Sequence, residues 1–445
     1  MKKLKDSLDP AKLLVLGFAS LILVGAFLLS MPIATENYTT LPFLDALFTA
    51  TSAVCVTGLV VVDTGNTFSF FGEVVILILI QIGGLGFMTL ATFLFALLGK
   101  RISFKEQLLL KEAYNAASPG GMIRLAKRIL IFTAITETIG GIILAIRFSF
   151  EMPIAQAIFF GFFHSISVFN NAGFDLMGDY SSLVDYVDDP TVVLTVCSLI
   201  IIGGLGFLVI NELYDYRHTR VLSLHSKVVL SMSIILTVSA VVLVFIFEYG
   251  NANTLGSLSP MGKVLGALFH GVTPRTAGAN TLPIADLTHA TLFLTIFLMF
   301  IGGGSGSTAG GIKVSTFAVL VTTVKSQLRG KEDVVIFKRR IEIETVLKAF
   351  TVAMSGLFIV VVVTFLLSIT DRGHAFIMYL FEATSAFGTV GLSMGLTPEL
   401  SPIGRILIII TMFIGRLGPL TLGFAITKRR KQEAYRHPKG KIMIG

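Results

Sequence analysis

The stretch Gly388-Thr389-Val390-Gly391 is followed, 23 residues after its last glycine, by a second landmark, Ile414-Gly415-Arg416-Leu417-Gly418. The same pair of landmarks occurs three more times in the chain. The first landmark recurs as Cys55-Val56-Thr57-Gly58, Asn170-Asn171-Ala172-Gly173 and Arg275-Thr276-Ala277-Gly278. The second recurs as Ile82-Gly83-Gly84-Leu85-Gly86, Ile202-Gly203-Gly204-Leu205-Gly206 and Ile301-Gly302-Gly303-Gly304-Ser305-Gly306. Membrane helices often use single glycines for packing. Two landmarks that recur together four times instead indicate an internal repeat.

The composition excludes a water-soluble protein. Of the 445 residues, 54% are hydrophobic and only 14% are charged, whereas an ordinary soluble domain is about 25% charged. A chain of this size cannot cover itself with a polar surface from so few charges. The composition therefore argues against a cytosolic enzyme, a disordered protein and a nucleic-acid binder, and it predicts a membrane protein.

Eight apolar stretches are long enough to cross about 30 Å of hydrocarbon. They cover residues 12–31, 72–98, 128–148, 191–213, 227–248, 290–324, 346–369 and 402–427. A shorter apolar segment, suited to a buried re-entrant helix, lies within each pair. These segments cover residues 42–56, 153–169, 260–272 and 374–387. The sequence thus predicts an all-α polytopic membrane protein with four span–pore helix–span repeats around a pseudo-fourfold central pore.

The repeat divides the chain into four pore units and a tail. We assign residues 1–110, 111–220, 221–335 and 336–427 to the units and residues 428–445 to a basic cytoplasmic tail. Of the 35 basic residues, 28 fall in five segments on one side of the eight spans. The positive-inside rule makes that side cytoplasmic. We expect a multi-pass protein of the cell membrane with both termini in the cytoplasm and Ala11–Met31 as an uncleaved first span.

The four loops have the composition of a cation filter. Non-helical backbone at membrane depth is tolerated where it lines a cavity, and four such loops can point carbonyl groups at a common axis. The preceding helices direct their partly negative C-terminal ends to the same place. None of the aligned positions is acidic, which favours a weakly hydrated monovalent cation over a divalent one. The candidate filter residues are Val56, Thr57, Gly58, Asn171, Ala172, Gly173, Thr276, Ala277, Gly278, Thr389, Val390 and Gly391.

With these loops, the chain resembles the superfamily of Trk, Ktr and plant high-affinity K+ (HKT) transporters, and within it the membrane subunit of bacterial Ktr systems. The resemblance covers about residues 10 to 427. It implies that Gly58, Gly173, Gly278 and Gly391 select K+, with Na+ as a candidate activator. It also implies a homodimer with one pore per chain and a cytosolic ring of nucleotide-binding RCK subunits as partner. We expect no bound cofactor and no nucleic-acid partner.

A glycine-rich run interrupts the second span of the third unit. Such a run is a poor helix, at about 1 kcal/mol per glycine relative to alanine, and the resemblance implies a gate below the filter. The run consists of Gly302, Gly303, Gly304, Ser305, Gly306, Ser307, Thr308, Ala309, Gly310 and Gly311. Ile312 follows where a phosphate-binding loop would have lysine, so we reject that alternative.

Arg416 takes the place of a glycine in the fourth block. A charge at that depth is costly and should face a pore or a partner. We interpret Arg416 as a cationic barrier next to the gating loop. The alternative is a structural ion pair with a buried carboxylate.

Several further polar residues have two interpretations each. Arg275 should point behind the filter, with Glu382 as candidate partner, and Lys313 should lie near the cytoplasmic exit or snorkel. Asp63 and Asp175 follow filter loops and would either concentrate cations or be ordinary loop acids. In the pore helices, His164 and His270 lack a second metal ligand at a useful spacing, which favours packing roles. The cysteines, Cys55 and Cys197, make no disulfide framework.

Two questions about transport stay open in the sequence. A gated channel and an ion-coupled symporter differ in whether a proton relay crosses the membrane. Glu137 lies in a span, but no chain of intramembrane acids accompanies it, so we favour channel-like conduction. A membrane-embedded enzyme is a weaker alternative because no catalytic pairing is visible. A non-conducting scaffold is also weaker, because it would not need four polar loops at membrane depth.

Overall fold

The structure is a computed structural model that describes residues 10–86 and 122–426, and this part of the chain is almost wholly helical. The α-helices are α1 Pro10–Leu29, α2 Phe43–Val54, α3 Thr64–Thr67, α4 Phe70–Leu85, α5 Met122–Phe148, α6 Ile154–Phe169, α7 Pro190–Leu205, α8 Phe207–Thr219, α9 Leu224–Glu248, α10 Pro260–Val272, α11 His289–Ile301, α12 Val314–Leu328, α13 Ile343–Thr370, α14 Phe376–Gly388, α15 Leu396–Glu399, α16 Pro402–Leu417 and α17 Pro419–Ile426. Short 3₁₀ helices cover Pro32–Ala34, Val184–Tyr186 and Ile284–Asp286, and a hairpin pairs β1 Val335–Ile336 with β2 Arg339–Arg340. The predicted basic tail and most of the basic segment around residues 100–128 lie outside the described residues.

The first span of each unit is one long helix. These helices, α1, α5, α9 and α13, contain 20, 27, 25 and 28 residues. At about 1.5 Å per residue each is long enough to cross the hydrocarbon. Their apolar side chains are widely exposed on one side, as in Ile139 and Phe358, which fits contact with lipid. The four predicted first spans are confirmed, and their N-terminal ends lie two to six residues before the predicted ones.

The four short helices are buried among the long ones. Helices α2, α6, α10 and α14 contain 12 to 16 residues, and their C-terminal halves are almost completely buried. Pro42 and Pro153 directly precede α2 and α6, and Pro260 is the first residue of α10. Each helix is followed by a loop that lies inside the protein, as the sequence predicts for re-entrant segments.

The second spans of the second and fourth units are broken, which corrects their predicted continuous course, and the predicted interruption of the third unit's second span lies between Ile301 and Val314. Helix α4 ends before Gly86, α7 and α8 meet at Gly206 with a 97° bend, and α16 and α17 meet at Gly418. These three glycines have φ of 82°, 99° and 82°. A left-handed residue cannot continue a right-handed helix, so the backbone turns there. The predicted continuation from residue 87 to 98 lies outside the described residues.

The first and last units pack against each other. Phe48 of α2 and Phe387 of α14 belong to one buried core. On the same interface, the Arg405 guanidinium at the start of α16 contacts the Asp45 carboxylate of α2. The four units therefore form a closed arrangement around the four buried loops. Of the predicted unit boundaries, the one after residue 220 lies between α8 and α9, whereas the one after residue 335 divides β1.

Candidate functional site: the central loops

The four loop glycines meet in a ring. Each lies so close to the next loop that a methyl group in place of its hydrogen would touch a carbonyl oxygen there. The distances from such a methyl carbon are 2.3 Å at Gly58 to Ala172 O, 2.7 Å at Gly173 to Ala277 O, 2.5 Å at Gly278 to Val390 O and 2.1 Å at Gly391 to Thr57 O. The contacts run from unit one to two, three, four and back to one. Any larger residue would push the ring apart.

The backbone of each loop has two left-handed residues. One is the glycine, with φ between 70° and 94° in the four loops. The other lies two residues earlier: Val56, Asn171, Thr276 and Thr389 have φ of 51°, 57°, 78° and 49°. Left-handed residues alternating with ordinary ones turn successive carbonyl groups toward the same side. Sequence reasoning anticipated the glycines but not the earlier residue, because these four side chains have no property in common.

Hydroxyl groups on the pore helices support the loops from behind. The Oγ atoms of Ser52 and Ser385 accept hydrogen bonds from the N–H groups of Gly58 and Gly391, at 3.0 and 3.1 Å. In the second unit, Ser167 instead donates to the Phe174 carbonyl at 2.6 Å. These serines stand six residues before the glycine, and that spacing is the sequence signal by which they could have been found. Thr273 serves the third unit, five residues before its glycine.

A buried polar cluster joins the first two units behind the filter loop. The Asn170 amide donates to Glu137 Oε1 at 2.9 Å and to Gln81 Oε1 at 2.8 Å. The Gln81 amide in turn donates to Glu137 Oε2 at 3.1 Å. Helices α4 and α5 are thereby tied to the residue that begins the second loop. The Glu137 carboxylate therefore has a structural role in this cluster.

The glycine blocks pack directly on the ends of the pore helices. A methyl group added at Gly83, Gly203 or Gly415 would lie 2.0, 1.9 or 2.1 Å from a backbone carbonyl oxygen. Those carbonyls belong to Val54, Phe169 and Phe387, each four residues before its filter glycine. In three of the four units, the second span therefore approaches the filter as closely as a backbone can.

The glycine-rich run forms a non-helical loop next to the four central loops. Its Gly304 N–H donates to the Gly204 carbonyl at 2.8 Å, and the Phe207 N–H donates to the Gly306 carbonyl at 2.9 Å. On the opposite side, a methyl group added at Gly310 would lie 2.1 Å from Thr389 Oγ1. The loop thus reaches from the second unit to the fourth.

Arg416 holds this loop through carbonyl groups. Its guanidinium donates to the carbonyls of Thr308, Gly83 and Gly84, the last at 3.2 Å. Within residues 10–86 and 122–426 it forms no ion pair, so the expected alternative, a buried carboxylate, is wrong for this part of the chain. Arg416 connects the first unit, the fourth unit and the gating loop.

Two other cations differ from expectation. Lys313 does not extend away from the glycine-rich loop, because its Nζ donates to the carbonyls of Ala309 and Gly310. Arg275 does point behind the filter, but it donates to Ser233 and Thr237 of α9 at 3.0 Å rather than to Glu382. The Glu382 carboxylate is occupied by the hydroxyls of Ser393 and Thr397.

The histidines and loop acids have structural contacts. His164 Nδ1 lies 2.7 Å from the Phe160 carbonyl, and His270 Nε2 lies 3.0 Å from Thr295 Oγ1, both inside the protein. Asp63 accepts hydrogen bonds from the N–H groups of Asn66 and Tyr180, at 2.8 and 2.7 Å. Asp175, two residues beyond Gly173, is partly exposed and accepts a hydrogen bond from the Met177 N–H at 3.2 Å.

Four re-entrant loops at the centre of four helical units define a polytopic membrane protein of the pore-loop class. The chain matches the TrkH family, described as cation transport protein, over residues 19–437. It therefore belongs to the TrkH family of cation transport proteins, and the resemblance to Trk and Ktr transporters is confirmed. It is a membrane transporter and not an enzyme.

Individual relatives agree with this assignment. The Ktr system potassium uptake protein B of Bacillus subtilis is 47% identical over 436 residues, covering 98% of this chain and 97% of that protein. The potassium/sodium uptake protein NtpJ of Enterococcus hirae is 41% identical over 451 residues, covering 100% and 99%. The crystal structure of the potassium transporter TrkH from Vibrio parahaemolyticus superposes with a TM-score of 0.73 at 20% identity, covering 93% of this chain and 83% of that one. This last likeness concerns the fold alone.

Proposed function

We propose that the chain is a K+-selective uptake pathway across the cell membrane, with the four central loops as its filter. The observation that carries this proposal is the ring of close contacts among Gly58, Gly173, Gly278 and Gly391. The printed name of the Bacillus subtilis relative, a potassium uptake protein, supports the choice of ion. K+ enters such a filter when carbonyl oxygens replace its hydration shell.

The driving force in this proposal is the membrane potential. It provides about 2.3 kcal/mol per elementary charge for each 100 mV. A partly negative helix end behind each loop stabilises a cation at the centre. Neutral carbonyl groups bind K+ without holding it as tightly as a ring of carboxylates would, which permits rapid release.

The filter is tested by replacing each loop glycine with serine in full-length protein reconstituted in liposomes. We expect each of Gly58→Ser, Gly173→Ser, Gly278→Ser and Gly391→Ser to lower the ratio of K+ to Na+ flux by about tenfold or more, or about 1.4 kcal/mol, since each displaces a carbonyl group that would coordinate K+. Gly250→Ser is the control, because nothing lies within 4 Å of a methyl group there. Four variants with unchanged selectivity would contradict the proposal.

The gating part of the proposal assigns the loop 302–311 as a barrier that blocks the path at rest, with Arg416 as its latch. The contacts of the loop with Gly204 and Thr389 on opposite sides of the path support this assignment. Opening would require the hydrogen bond from Arg416 to the Thr308 carbonyl to break, whereas its bond to the Gly83 carbonyl holds the guanidinium to the first unit. A cation below the filter also repels K+ for as long as it remains there.

Two variants test the gate. Deletion of residues 304–310 should raise K+ flux about tenfold or more, because the obstruction is removed. Arg416→Lys keeps the charge but cannot donate to Thr308 and Gly83 at once. Because the loop 302–311 is then held less firmly, this variant should also raise K+ flux. Thr351→Val, which removes a hydroxyl from an exposed face of α13, is the control. Unchanged flux after the deletion would exclude a gate at this place.

The remaining expectations concern partners and coupling. We propose a homodimer, both termini in the cytoplasm, and control by a cytosolic ring of nucleotide-binding RCK subunits. Na+ is the candidate activator, and the name of the Enterococcus hirae relative, which includes sodium, supports testing it. K+ uptake driven by potential alone, in liposomes without Na+ or pH gradients, is expected for a channel. Uptake that requires either gradient would favour the symporter.

A further inference from the structure

A basic cavity lies beside the C-terminal end of α12. It has a volume of about 340 Å³. The residues that line it are Thr322, Lys325, Ser326, Arg329, Lys331, Asp333, Val335, Ile336 and Phe337. They come from the last turns of α12, the turn after it and the hairpin β1–β2. None of them takes part in the filter or the gate.

The cavity has the chemistry of an oxyanion site. Lys325 and Arg329 are one helical turn apart on α12, and Lys331 follows in a turn closed by its own N–H, which donates to the Ser326 carbonyl at 3.0 Å. The carboxylate in the lining, Asp333, is paired with Arg340 at 3.0 Å and so does not cancel these charges. Cations at a helix C-terminus are favoured by the helix dipole, but that preference does not explain an apolar wall opposite them.

The depth of the cavity matches a lipid headgroup. Helix α12 begins next to the gating loop and is 15 residues long, or about 21 Å. Half of the hydrocarbon is about 15 Å thick, so a helix of this length that starts at mid-membrane and runs outward ends in the headgroup layer. The apolar wall includes Val335 and Phe337, which are 47% and 55% exposed. A free phosphate ion would gain nothing from such a wall, whereas a lipid glycerol and acyl chain would cover it.

We propose that this cavity binds the phosphate of an anionic phospholipid in the leaflet on the basic side of the membrane. The phosphate would contact Lys325, Arg329 and Lys331, and the lipid backbone would lie against Phe337. Helix α12 is joined to the gate, since the Val314 N–H donates to the Gly303 carbonyl at 2.9 Å. A bound lipid would therefore hold α12 and alter the opening of the loop, a consequence that rests on the proposed function.

Lipid binding is tested with purified full-length protein by native mass spectrometry and by titration with phosphatidylglycerol or phosphatidylcholine. Each basic residue near an anionic surface contributes about 1 kcal/mol. The triple variant K325Q/R329Q/K331Q should therefore bind phosphatidylglycerol about a hundredfold more weakly than the wild type. The control R217Q/R220Q/K227Q removes three exposed charges from the same side and should bind normally. Equal binding by the wild type and the cavity variant would overturn the proposal. So would equal loss in the two triple variants.

Two further measurements distinguish a lipid phosphate from free inorganic phosphate, and the lipid proposal from the proposed function. Inorganic phosphate at millimolar concentration should not displace phosphatidylglycerol, and full displacement would make this an anion site instead of a lipid site. In liposomes, exchange of phosphatidylglycerol for phosphatidylcholine should change wild-type K+ flux several-fold and leave the cavity variant unaffected. Unchanged flux with intact lipid binding would refute only the link to the gate. Intact binding in a protein that conducts no K+ would refute the proposed function instead.

Discussion

Val56 is the least expected residue at the centre of the molecule. A β-branched side chain with a φ of 51° adopts a conformation that costs about 1–2 kcal/mol. The pore helix behind it compensates, since the N–H groups of Thr57 and Gly58 are held by the carbonyl and hydroxyl oxygens of Ser52 at 2.8 and 3.0 Å. The loop conformation is thus imposed by the helix end as much as by its own glycine.

Removal of one supporting hydroxyl should therefore loosen the filter. In Ser385→Ala the N–H of Gly391 loses its partner, at a cost of about 1–3 kcal/mol for a buried donor. We expect the ratio of K+ to Na+ flux in liposomes to fall several-fold with the fold intact. Ser198→Ala removes a hydroxyl that bonds only within α7, at an exposed position, and should leave selectivity unchanged. Equal selectivity in both variants would show that the Ser385 hydroxyl is dispensable.

At the residue scale, the sequence predicts the glycine positions but not the hydrogen-bond partners of the buried cations. A position that must approach another backbone within van der Waals distance tolerates only glycine, so the requirement is visible in the sequence itself. Arg416 and Lys313 bind carbonyl oxygens, which every residue carries, so no side-chain type marks the partner. Hydrogen bonds to the backbone are therefore found only once the fold is known.

Among the elements, the second spans differ most from the prediction. Hydropathy reports whether a stretch suits lipid, and it does not report the φ at which a helix turns. The glycines at positions 86, 206 and 418 are the last of their blocks. The repeated glycine blocks therefore mark where the helices end, whereas the hydropathy profile does not. The first spans and pore helices contain no such break and were predicted well.

The contact between a second span and a pore helix should be sensitive to one methyl group. In Gly415→Ala the added carbon would lie 2.1 Å from the Phe387 carbonyl oxygen, and such overpacking costs about 1–3 kcal/mol or more. We expect a lower Tm in detergent and a less selective filter. Gly423→Ala, in α17 with nothing within 4 Å, should have an equal or higher Tm because alanine favours helix. A Gly415→Ala protein as stable as this control would mean that the two helices can separate without cost.

For the whole molecule, closure between the first and last units is the critical contact. Arg405→Met leaves the Asp45 carboxylate, which is only 14% exposed, without its cation, and the loss should be about 1–3 kcal/mol. We expect a lower Tm and weaker K+ selectivity, since Gly391 and Gly58 meet at the same junction. Arg128→Met breaks a pair that is more than 40% exposed on both sides and should cost about 1 kcal/mol or less. Equal effects of the two variants would argue against a special role of the closure.

The number of units and their order along the chain followed from the sequence because the two landmarks repeat at similar spacing. The order of units around the centre did not follow from it. Spacing along a chain does not say which loop lies beside which, and only the contacts from Ala172 to Gly58 and onward around the ring fix that order. The ion pair Asp45–Arg405 and the side-chain hydrogen bond Gln81–Asn170 likewise join residues far apart in sequence.

The gating loop and Arg416 each occur once among four related units. A channel assembled from four identical subunits must carry any substitution in every quadrant at the same time. Here the quadrants are encoded separately, so one codon changes one quarter of the pathway. Sequence changes can consequently act on one quadrant at a time, and a cation that would be prohibitive as a fourfold ring is tolerated as a single guanidinium.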